Sequence, residues 1–355
     1  MTTEMDAAKI EAFAGRMIGA LNETSVAFMT AIGHETGLFD RMADLPPSTS
    51  QQIADAAGLT ERYVREWLGA LVTGRVIDYD AANGTYKLPA EHAACLTRAA
   101  GTNNIAAFTA FFPEFGKVTD QIVGSFRNGG GVPYSEYDKF QTLMRDESAQ
   151  VFDATLIDST LPLVPGVVDK LKAGIEVADV GCGAGHAINL MAQAFPNSRF
   201  TGFDFSEEGI GLGRAEAARM GLKNASFVVR DAAKLGETAR FDLIVVFDAV
   251  HDQAHPAAML SGIYDALKPG GDLLCVDIAA SSKLEENMDH PMAPMLYTVS
   301  TMHCMTVSLA YGGDGLGTVW GEQKALEMLG AAGFKGIKVE RVEGDILNNY
   351  YVAGK

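Results

Sequence analysis

Short apolar runs alternate with longer amphipathic stretches through the second half of the chain. The runs have the length of buried strands, and the stretches between them repeat apolar residues every three or four positions, as helices do. A Lys-Pro-Gly-Gly turn at 268–271 marks the end of one helix and the start of the fifth run. This alternation predicts an α/β fold. The predicted strands are 176–180, 199–204, 225–230, 241–248 and 272–278, and a closing antiparallel hairpin is expected near the end of the chain.

The first hundred residues have a different pattern. Residues 6–40 place apolar residues at helical spacing over a wide face, which predicts packing on another helix or another subunit. Segments 48–60 and 61–71 are predicted to be helices joined by a glycine turn, and Asn83-Gly84 is a hairpin signal between two short strands. This order resembles a winged helix-turn-helix, so a mostly α-helical domain is expected.

Two further segments separate or interrupt these regions. Residues 101–165 are predicted to be a helical connector that covers a pocket, because the loop 129–137 is rich in glycine and tyrosine. The segment 281–317 is a methionine-rich insertion after the fifth strand. Methionines and phenylalanines at such spacing also occur in ordinary cores. The alternative that these residues belong to the hydrophobic core therefore stays open. We predict a winged-helix domain at 1–100, a connector at 101–165 and an α/β domain at 166–355.

Composition and charge narrow the class of protein. The chain has 355 residues and 48% hydrophobic content, which is typical of a globular protein. Its net charge of −17 opposes binding to the phosphate backbones of nucleic acids. The acidic start carries no secretory pattern, and no apolar run approaches the about 20 residues of a membrane span. We therefore predict a cytoplasmic protein without a membrane partner.

The four cysteines form no C-x-x-C pair, and they are scattered along the chain. Scattered cysteines of this kind are typical of proteins in a reducing compartment. Cys304 next to His303 leaves a weak metal hypothesis, but no metal-ligand spacing is found, so no metal is predicted.

The sequence EVADVGCGAGHA at 176–187 carries the first functional signal. Its closely spaced glycines allow a tight turn from a strand into a helix and let a ligand approach the bare backbone. The spacing G-x-G-x-G differs from the dinucleotide fingerprint G-x-G-x-x-G, and Asp179 would repel a pyrophosphate. A cofactor with a positively charged end is expected. A glycine turn without a ligand and a dinucleotide site of unusual spacing are the alternatives.

The pattern D-x-G-x-G-x-G after a strand resembles motif I of the class I S-adenosylmethionine-dependent methyltransferases. The resemblance covers nearly the whole chain and implies a Rossmann-like seven-stranded methyltransferase domain preceded by the mostly α winged-helix domain. The chain is also similar to mycobacterial and proteobacterial methyltransferases with this arrangement. The resemblance implies S-adenosyl-L-methionine as cofactor and a small-molecule acceptor.

Residues at the ends of successive strands match the cofactor site of that family. Asp204 lies 25 residues after Asp179, near the position of an acid that binds a ribose; it could instead cap the following helix. The implied cofactor residues are Asp179, Gly181, Gly183, Gly185, Asp204, Phe205, Asp231, Ala232, Phe247 and Asp248.

The sequence after the fourth strand, DAVHDQAHP, suggests the chemistry. It resembles the HDW segment of winged-helix O-methyltransferases, in which the histidine is the general base, although Gln253 replaces the tryptophan. This implies O-methylation with His251 as base and Asp252 as the residue that orients it; His255 is a competitor. S-methylation of a small thiol is the near alternative. In the family the insertion at 281–317 closes the acceptor pocket, and the predicted acceptor residues are Phe112, Tyr134, Tyr137, Met295 and His303.

The winged helix has two interpretations of different class. In a cofactor-sensing transcriptional regulator, the helix at 61–71 would enter a major groove. Residues 1–100 contain eight Lys or Arg against thirteen Asp or Glu, so the basic surface of a DNA reader is missing. The resemblance to small-molecule O-methyltransferases implies instead that this domain pairs two subunits in a homodimer, with nucleic acid not expected as a partner.

Overall fold

The computed structural model describes the backbone of residues 5–355 and, except at positions 141, 145–148 and 150, their side chains. The chain forms two compact units, Met1–Gly116 and Lys117–Lys355. This boundary falls inside the predicted connector 101–165. One continuous helix, Phe111–Asn128, runs across it. The division into three segments at 100/101 and 165/166 stays a prediction.

The first unit is a helical domain with one small hairpin. A capping box between Thr49 and Gln52 begins one helix, and Gly58 ends it in the left-handed conformation. The hairpin turns at Gly84, as the sequence predicts. The helices are α1 Ala7–Thr36, α2 Leu38–Asp44, α3 Ser50–Ala57, α4 Glu61–Thr73, α5 Ala90–Leu96 and α6 Ala106–Thr109, and the strands are β1 Asp78–Asp80 and β2 Thr85–Lys87.

The core of this unit gathers around Trp67 of α4. Its ring lies 5.3 Å from that of Phe39, and its Nε1 donates a 2.7 Å hydrogen bond to the carbonyl of Met29. Leu68 and Leu71 of the same helix are fully buried. Only the end of α1 joins this core, since Thr30, Ala31 and Gly33 are its buried residues.

The second unit contains the large sheet. Its strands are β3 Glu176–Val180, β4 Arg199–Asp204, β5 Ala225–Val229, β6 Phe241–Phe247, β7 Leu267–Ile278, β8 Lys335–Glu340 and β9 Asn348–Gly354. Its helices, including α7 that crosses the boundary, are α7 Phe111–Asn128, α8 Phe140–Thr155, α9 Val167–Ala173, α10 His186–Ala194, α11 Glu207–Arg219, α12 Pro256–Ala266, α13 Ala293–Val299, α14 Met305–Ala310 and α15 Gly321–Ala331.

The seven strands are ordered β5-β4-β3-β6-β7-β9-β8. Only β9 is antiparallel to the rest, pairing with β7 on one side and β8 on the other. Successive residues of β3 and β6 point to opposite faces and bury two separate cores, Val177 and Leu243 on one face and Ala178 and Ile244 on the other. The strand order reverses between β3 and β6. Ligands of such sheets bind at that point, beyond the carboxyl ends of the strands.

The predicted strands, the helices between them and the closing hairpin are confirmed, with one change of detail. The Lys-Pro-Gly-Gly sequence is not a separate turn before the fifth strand. It lies within β7, where the register passes from Phe241 opposite Leu267 to Leu243 opposite Asp272. Four residues therefore loop out opposite Asp242, and Gly270 makes this possible with a φ of 77°.

Within residues 5–355, no single helix has the length and apolar character of a membrane span. The pair Val151–Leu163 and Val167–Ala173, bent by 106°, passes that test only when the two pieces are taken together.

Candidate active site

The glycine turn lies between β3 and α10, at the point where the strand order reverses. Gly181 has a φ of 83°, and a Cβ there would lie 2.4 Å from the Cβ of Ala249. Gly185 has a φ of 70°, and a Cβ there would meet the ring of Phe227 at 2.2 Å. Side chains are therefore excluded at both positions, by backbone conformation and by space. The turn brings bare backbone to the edge of a cleft.

Asp204, at the end of β4, holds this turn in place. Its Oδ2 accepts from the backbone N–H of Gly183 and its Oδ1 from that of Ser206, both at 2.8 Å. The helix α11 is capped by Ser206, whose hydroxyl accepts from Gly209, so Asp204 is not its cap. Burial raises the pKa of Asp204, although these hydrogen bonds oppose the shift.

Asp179 is buried next to the glycine turn. It is 2% exposed, and its Oδ1 has no hydrogen-bond partner among the described residues. Burial and the neighbouring charge of Asp204 raise its pKa well above the usual range. A buried carboxylate oxygen without a partner is costly, and a positively charged ligand group would satisfy it.

A cleft with about 870 Å³ of empty space opens beside these two carboxylates. Phe205 and Asp248 lie on its wall; Asp248 has an unusual positive φ of 49°, as residues at functional sites often do. The structure thus brings most of the predicted cofactor residues together, namely Asp179, Gly181, Gly183, Gly185, Asp204, Phe205, Phe247 and Asp248.

Two predicted cofactor residues are not part of this lining. Asp231 caps a short 3₁₀ turn by accepting from the N–H of Ala233 at 2.9 Å, and it pairs with Lys234 at 3.1 Å. Ala232 is buried against the core behind the turn. Their assignment to the cofactor stays a prediction.

His251 follows β6 and makes a buried pair with Asp277. The imidazole is 5% exposed, and its Nδ1 lies 2.7 Å from Oδ1 of Asp277. That oxygen also accepts from Nε1 of Trp320 at 3.0 Å and from the N–H of Ile278 at 2.8 Å. The carboxylate is thereby held in one orientation, and it holds the ring of His251 in turn.

The carboxylate bonded to Nδ1 of His251 is that of Asp277 and not that of Asp252, whose predicted role stays a prediction. Adjacent residues point apart, and Asp252 lies in the wall of the cleft, where it accepts from Gln253 at 3.2 Å. Asp277 takes the orienting role because β7 pairs with β6, with Val276 opposite Phe247. The sequence carried a signal that could have identified Asp277. It is an acid near the end of the fifth predicted strand, just as Asp179 and Asp204 are acids near the ends of the first and second.

The electrostatics of this pair favour a charged imidazole. Burial acts to lower the pKa of His251, but the charge of Asp277 and hydrogen bonding outweigh it and raise the pKa well above the usual range. The neighbouring Cys304 also acts to raise the pKa of His251. Burial raises the pKa of Asp252 to about 6. His255, the competing histidine, is exposed at the start of α12.

The two segments predicted to cover the pocket, the connector with its loop 129–137 and the insertion 281–317, contact each other beside the cleft. The N–H of Val132 donates to the hydroxyl of Thr306 at 3.0 Å, and the hydroxyl of Tyr137 donates to the carbonyl of Met302 at 2.5 Å. The insertion is also held on the segment after β6, since the hydroxyl of Ser308 donates to the carbonyl of Gln253 at 2.8 Å.

Four rings form an aromatic cluster where the covers meet: Tyr134, Tyr137, Phe140 and His303. His303 is stacked on Phe140 with ring centroids 3.5 Å apart, and both tyrosines approach it edge-on. Tyr134 also contacts Phe205 and lines the cleft, as Phe140 does. The structure therefore groups Tyr134, Tyr137 and His303 as predicted and adds Phe140, which sequence patterns did not distinguish from core.

The other two predicted acceptor residues are placed differently. Phe112 belongs to the first unit, in which its ring lies 6.4 Å from that of Phe28. Met295 is half-buried on α13, whereas the methionine in the wall of the cleft is Met144 of α8. Both assignments stay predictions. Within residues 5–355, no three His, Cys, Asp or Glu side chains are grouped so that they could hold a metal ion.

Two family comparisons agree with this architecture. Residues 24–98 match the Rv2258c-like winged HTH domain, and residues 171–333 match a methyltransferase domain. The chain thus combines a winged-helix domain of the Rv2258c-like family with a methyltransferase domain.

Curated relatives match a part of the methyltransferase region. The demethylmenaquinone methyltransferase of Listeria monocytogenes is 30% identical over 110 residues, which are 30% of this chain and 46% of that protein. The phthiotriol/phenolphthiotriol dimycocerosates methyltransferase 1 of Mycobacterium ulcerans is 30% identical over 115 residues, 32% of this chain and 41% of that protein. The chain thus spans about half the length of the curated relatives it matches.

Solved structures match over nearly the full length. Human N-acetylserotonin methyltransferase in complex with SAM has a TM-score of 0.71 at 18% identity, covering 100% of this chain and 99% of that chain. The mitomycin 7-O-methyltransferase MmcR has a TM-score of 0.72 at 18% identity, covering 99% and 100%. At this level of identity the likeness shows a shared fold for both units.

Proposed function

We propose that this protein transfers a methyl group from S-adenosyl-L-methionine to a hydroxyl of a small molecule, with His251 as the general base. The observation that carries the proposal is the buried pair of His251 and Asp277 next to a cleft built on a glycine turn. An oriented histidine is what deprotonation of a hydroxyl needs. The family and the folds of its solved neighbours support the same reaction class.

The residues of the cleft fit this cofactor. Oδ1 of Asp179 lacks a partner and could accept from the ammonium of its methionine part. We assign the ribose hydroxyls to Asp204, whose carboxylate accepts from the N–H of Gly183, and the adenine to the exposed ring of Phe205. When bound, the cofactor would supply a methyl group already activated by a positively charged sulfur.

The remaining chemistry falls to the chain's own residues. Asp277 holds Nδ1 of His251, which leaves Nε2 to take a proton from the acceptor hydroxyl. Nε2 can do so only when the ring is neutral. The raised pKa of His251 therefore means that activity increases as the pH rises through that value. A cation bound in the cleft would lower this pKa and make the base more effective.

S-methylation of a small thiol remains the alternative for the acceptor atom. A thiol ionises near neutral pH and needs less help from a base than a hydroxyl does. The geometry around His251 favours a hydroxyl, since an oriented base is of most use there.

A titration with S-adenosylmethionine, followed by a product screen in the same sample, tests the proposal. We expect saturable binding in calorimetry, and methylated products from phenols or catechols but not from small thiols, identified by mass spectrometry. Turnover of thiols alone would establish the alternative. Binding without any turnover would favour a cofactor sensor, and failure to bind would remove the proposal altogether.

We further propose that the first unit pairs two copies of this chain through α1. Residues 5–25 are all exposed, and they carry an apolar stripe at helical spacing that includes Ile10, Phe13, Met17 and Leu21. Phe13 and Leu21 are 60% and 66% exposed. An isolated amphipathic helix gains most of its stability from packing, and a monomer rarely exposes such a stripe. A second copy would cover it, as in the related O-methyltransferases.

Charge on this stripe should separate the subunits. We expect Phe13→Asp combined with Leu21→Asp to give a monomer in light scattering after size exclusion, whereas the unchanged protein and Asn22→Asp, a control on the polar side of α1, elute as dimers. Circular dichroism would verify that both variants are folded. An unchanged protein that is monomeric at micromolar concentration would contradict the proposal.

The surface of α4 argues against DNA binding. Arg62 and Arg65 of this helix are each paired within it, to Glu66 at 2.5 Å and to Glu61 at 3.3 Å. Their charges are therefore balanced where a DNA reader needs a net positive face.

A further inference from the structure

His303 is a buried side chain with unmatched polar atoms. It is 1% exposed, and neither Nδ1 nor Nε2 has a hydrogen-bond partner among the described residues. Leaving a buried polar group without a partner destabilises the folded protein. Such a group in a folded protein calls for an explanation, and a ligand that supplies the missing partner is one.

The surroundings keep this imidazole neutral. The rings of Tyr134, Tyr137 and Phe140 enclose it, and burial together with the charge of His251 lowers its pKa to about 3. A neutral imidazole has one donor and one acceptor nitrogen. It therefore suits an uncharged polar group, such as a hydroxyl, a carbonyl or an N–H, better than a carboxylate.

The position of His303 connects it with the proposed reaction. Tyr134 and Phe140 contact it and also form part of the wall of the cleft. The backbone of Ser300–Cys304 is a π-helix, a conformation found frequently at functional sites. His303 is also close enough to His251 for the charge of His251 to lower its pKa.

We propose that His303 is a second anchor for the methyl acceptor and determines its specificity. The acceptor is then a planar, uncharged molecule with two polar groups. One is the hydroxyl that faces His251, and the other hydrogen-bonds to His303 while the planar body packs among Tyr134, Tyr137 and Phe140. Because Phe140 is stacked directly on His303, its ring shifts when the acceptor enters. This inference rests on the proposed methyltransferase function.

A matched pair of planar probes tests it by binding alone. S-adenosylhomocysteine is first titrated into the protein, and 2,7-dihydroxynaphthalene or 2-naphthol is then titrated into the complex by calorimetry. We expect the diol to bind about 5- to 100-fold more tightly than 2-naphthol, the range of one hydrogen bond in a buried site. His303→Phe should reduce the affinity of the diol to that of 2-naphthol and leave 2-naphthol unchanged.

Two further variants complete the experiment. His303→Gln keeps a polar group and should restore part of the preference for the diol, and His255→Phe, at an exposed histidine, should behave as the unchanged protein does. Equal affinities of the two probes, no binding of either probe, or a preference that survives His303→Phe would overturn the role of His303. If S-adenosylhomocysteine still binds normally, such a result rejects only the role of His303, and the methyltransferase proposal stands. If the unchanged protein does not bind S-adenosylhomocysteine, both proposals are rejected.

Discussion

Replacing His251 with alanine is expected to lower kcat for a hydroxyl acceptor by about 10²- to 10⁴-fold, the usual contribution of a general base. The affinity for S-adenosylmethionine should stay nearly the same, because His251 hydrogen-bonds to Asp277 and is not one of the residues proposed to bind the cofactor. Steady-state kinetics and calorimetry on the same preparation measure both quantities.

His255→Ala is the matched control, since this exposed histidine lies four residues further on and should be replaceable without loss of activity. A thiol acceptor provides a second comparison. If its turnover survives in His251→Ala while that of a hydroxyl is lost, His251 acts as a base. Full activity of His251→Ala on a hydroxyl would contradict the proposed chemistry.

The same base has a pH signature that depends on Asp277. The carboxylate raises the pKa of His251, so kcat should rise with pH through a value above the usual pKa of histidine. Asp277→Asn removes the charge, and the acid limb of the pH profile should move to lower pH. The plateau should fall by about 10²-fold or more because the ring loses its fixed tautomer. A profile between pH 5.5 and 9 that does not move would argue against this pairing.

Replacing Asp204 with alanine is expected to weaken binding of S-adenosylmethionine by about 100-fold or more, roughly the loss of two charge-assisted hydrogen bonds. The carboxylate has two tasks. It is placed for the ribose hydroxyls, and it holds the N–H of Gly183 at 2.8 Å, so the glycine turn would loosen as well. Calorimetric titration measures the affinity directly.

Glu207→Ala is a suitable control for this variant. Glu207 is an exposed acid three residues further on, in the first turn of α11, and its removal takes the same charge from the protein. We expect its affinity to be close to that of the unchanged protein. Equal affinities for Asp204→Ala and Glu207→Ala would reject the ribose assignment.

The cofactor side of the site could be predicted because its signals are local. Asp179 and the three glycines lie within seven consecutive residues, and Asp204 ends the next strand along the chain. Parallel strands bring their carboxyl ends to one edge of the sheet, so acids at those ends have to meet there. For Asp231, which accepts from the N–H of Ala233 in a local turn, the same reasoning stays a prediction.

The pair of His251 and Asp277 shows where local reasoning fails. His251 was found through a short sequence resemblance, but the carboxylate next to it in the sequence is not the one next to it in space. Asp277 reaches it from the neighbouring strand, 26 residues away, through the register between β6 and β7. Sequence alone does not specify which strands are neighbours at a given residue.

The sequence by itself determined the α/β architecture, the winged-helix pattern and the position of the glycine turn, because periodicity and glycine spacing act over a few residues. Only the tertiary structure decided the acceptor side. The contact of Tyr137 with Met302 joins residues 165 positions apart, and the isolation of the His303 nitrogens depends on rings from the other cover. Such contacts follow from how elements pack, which no spacing along the chain encodes.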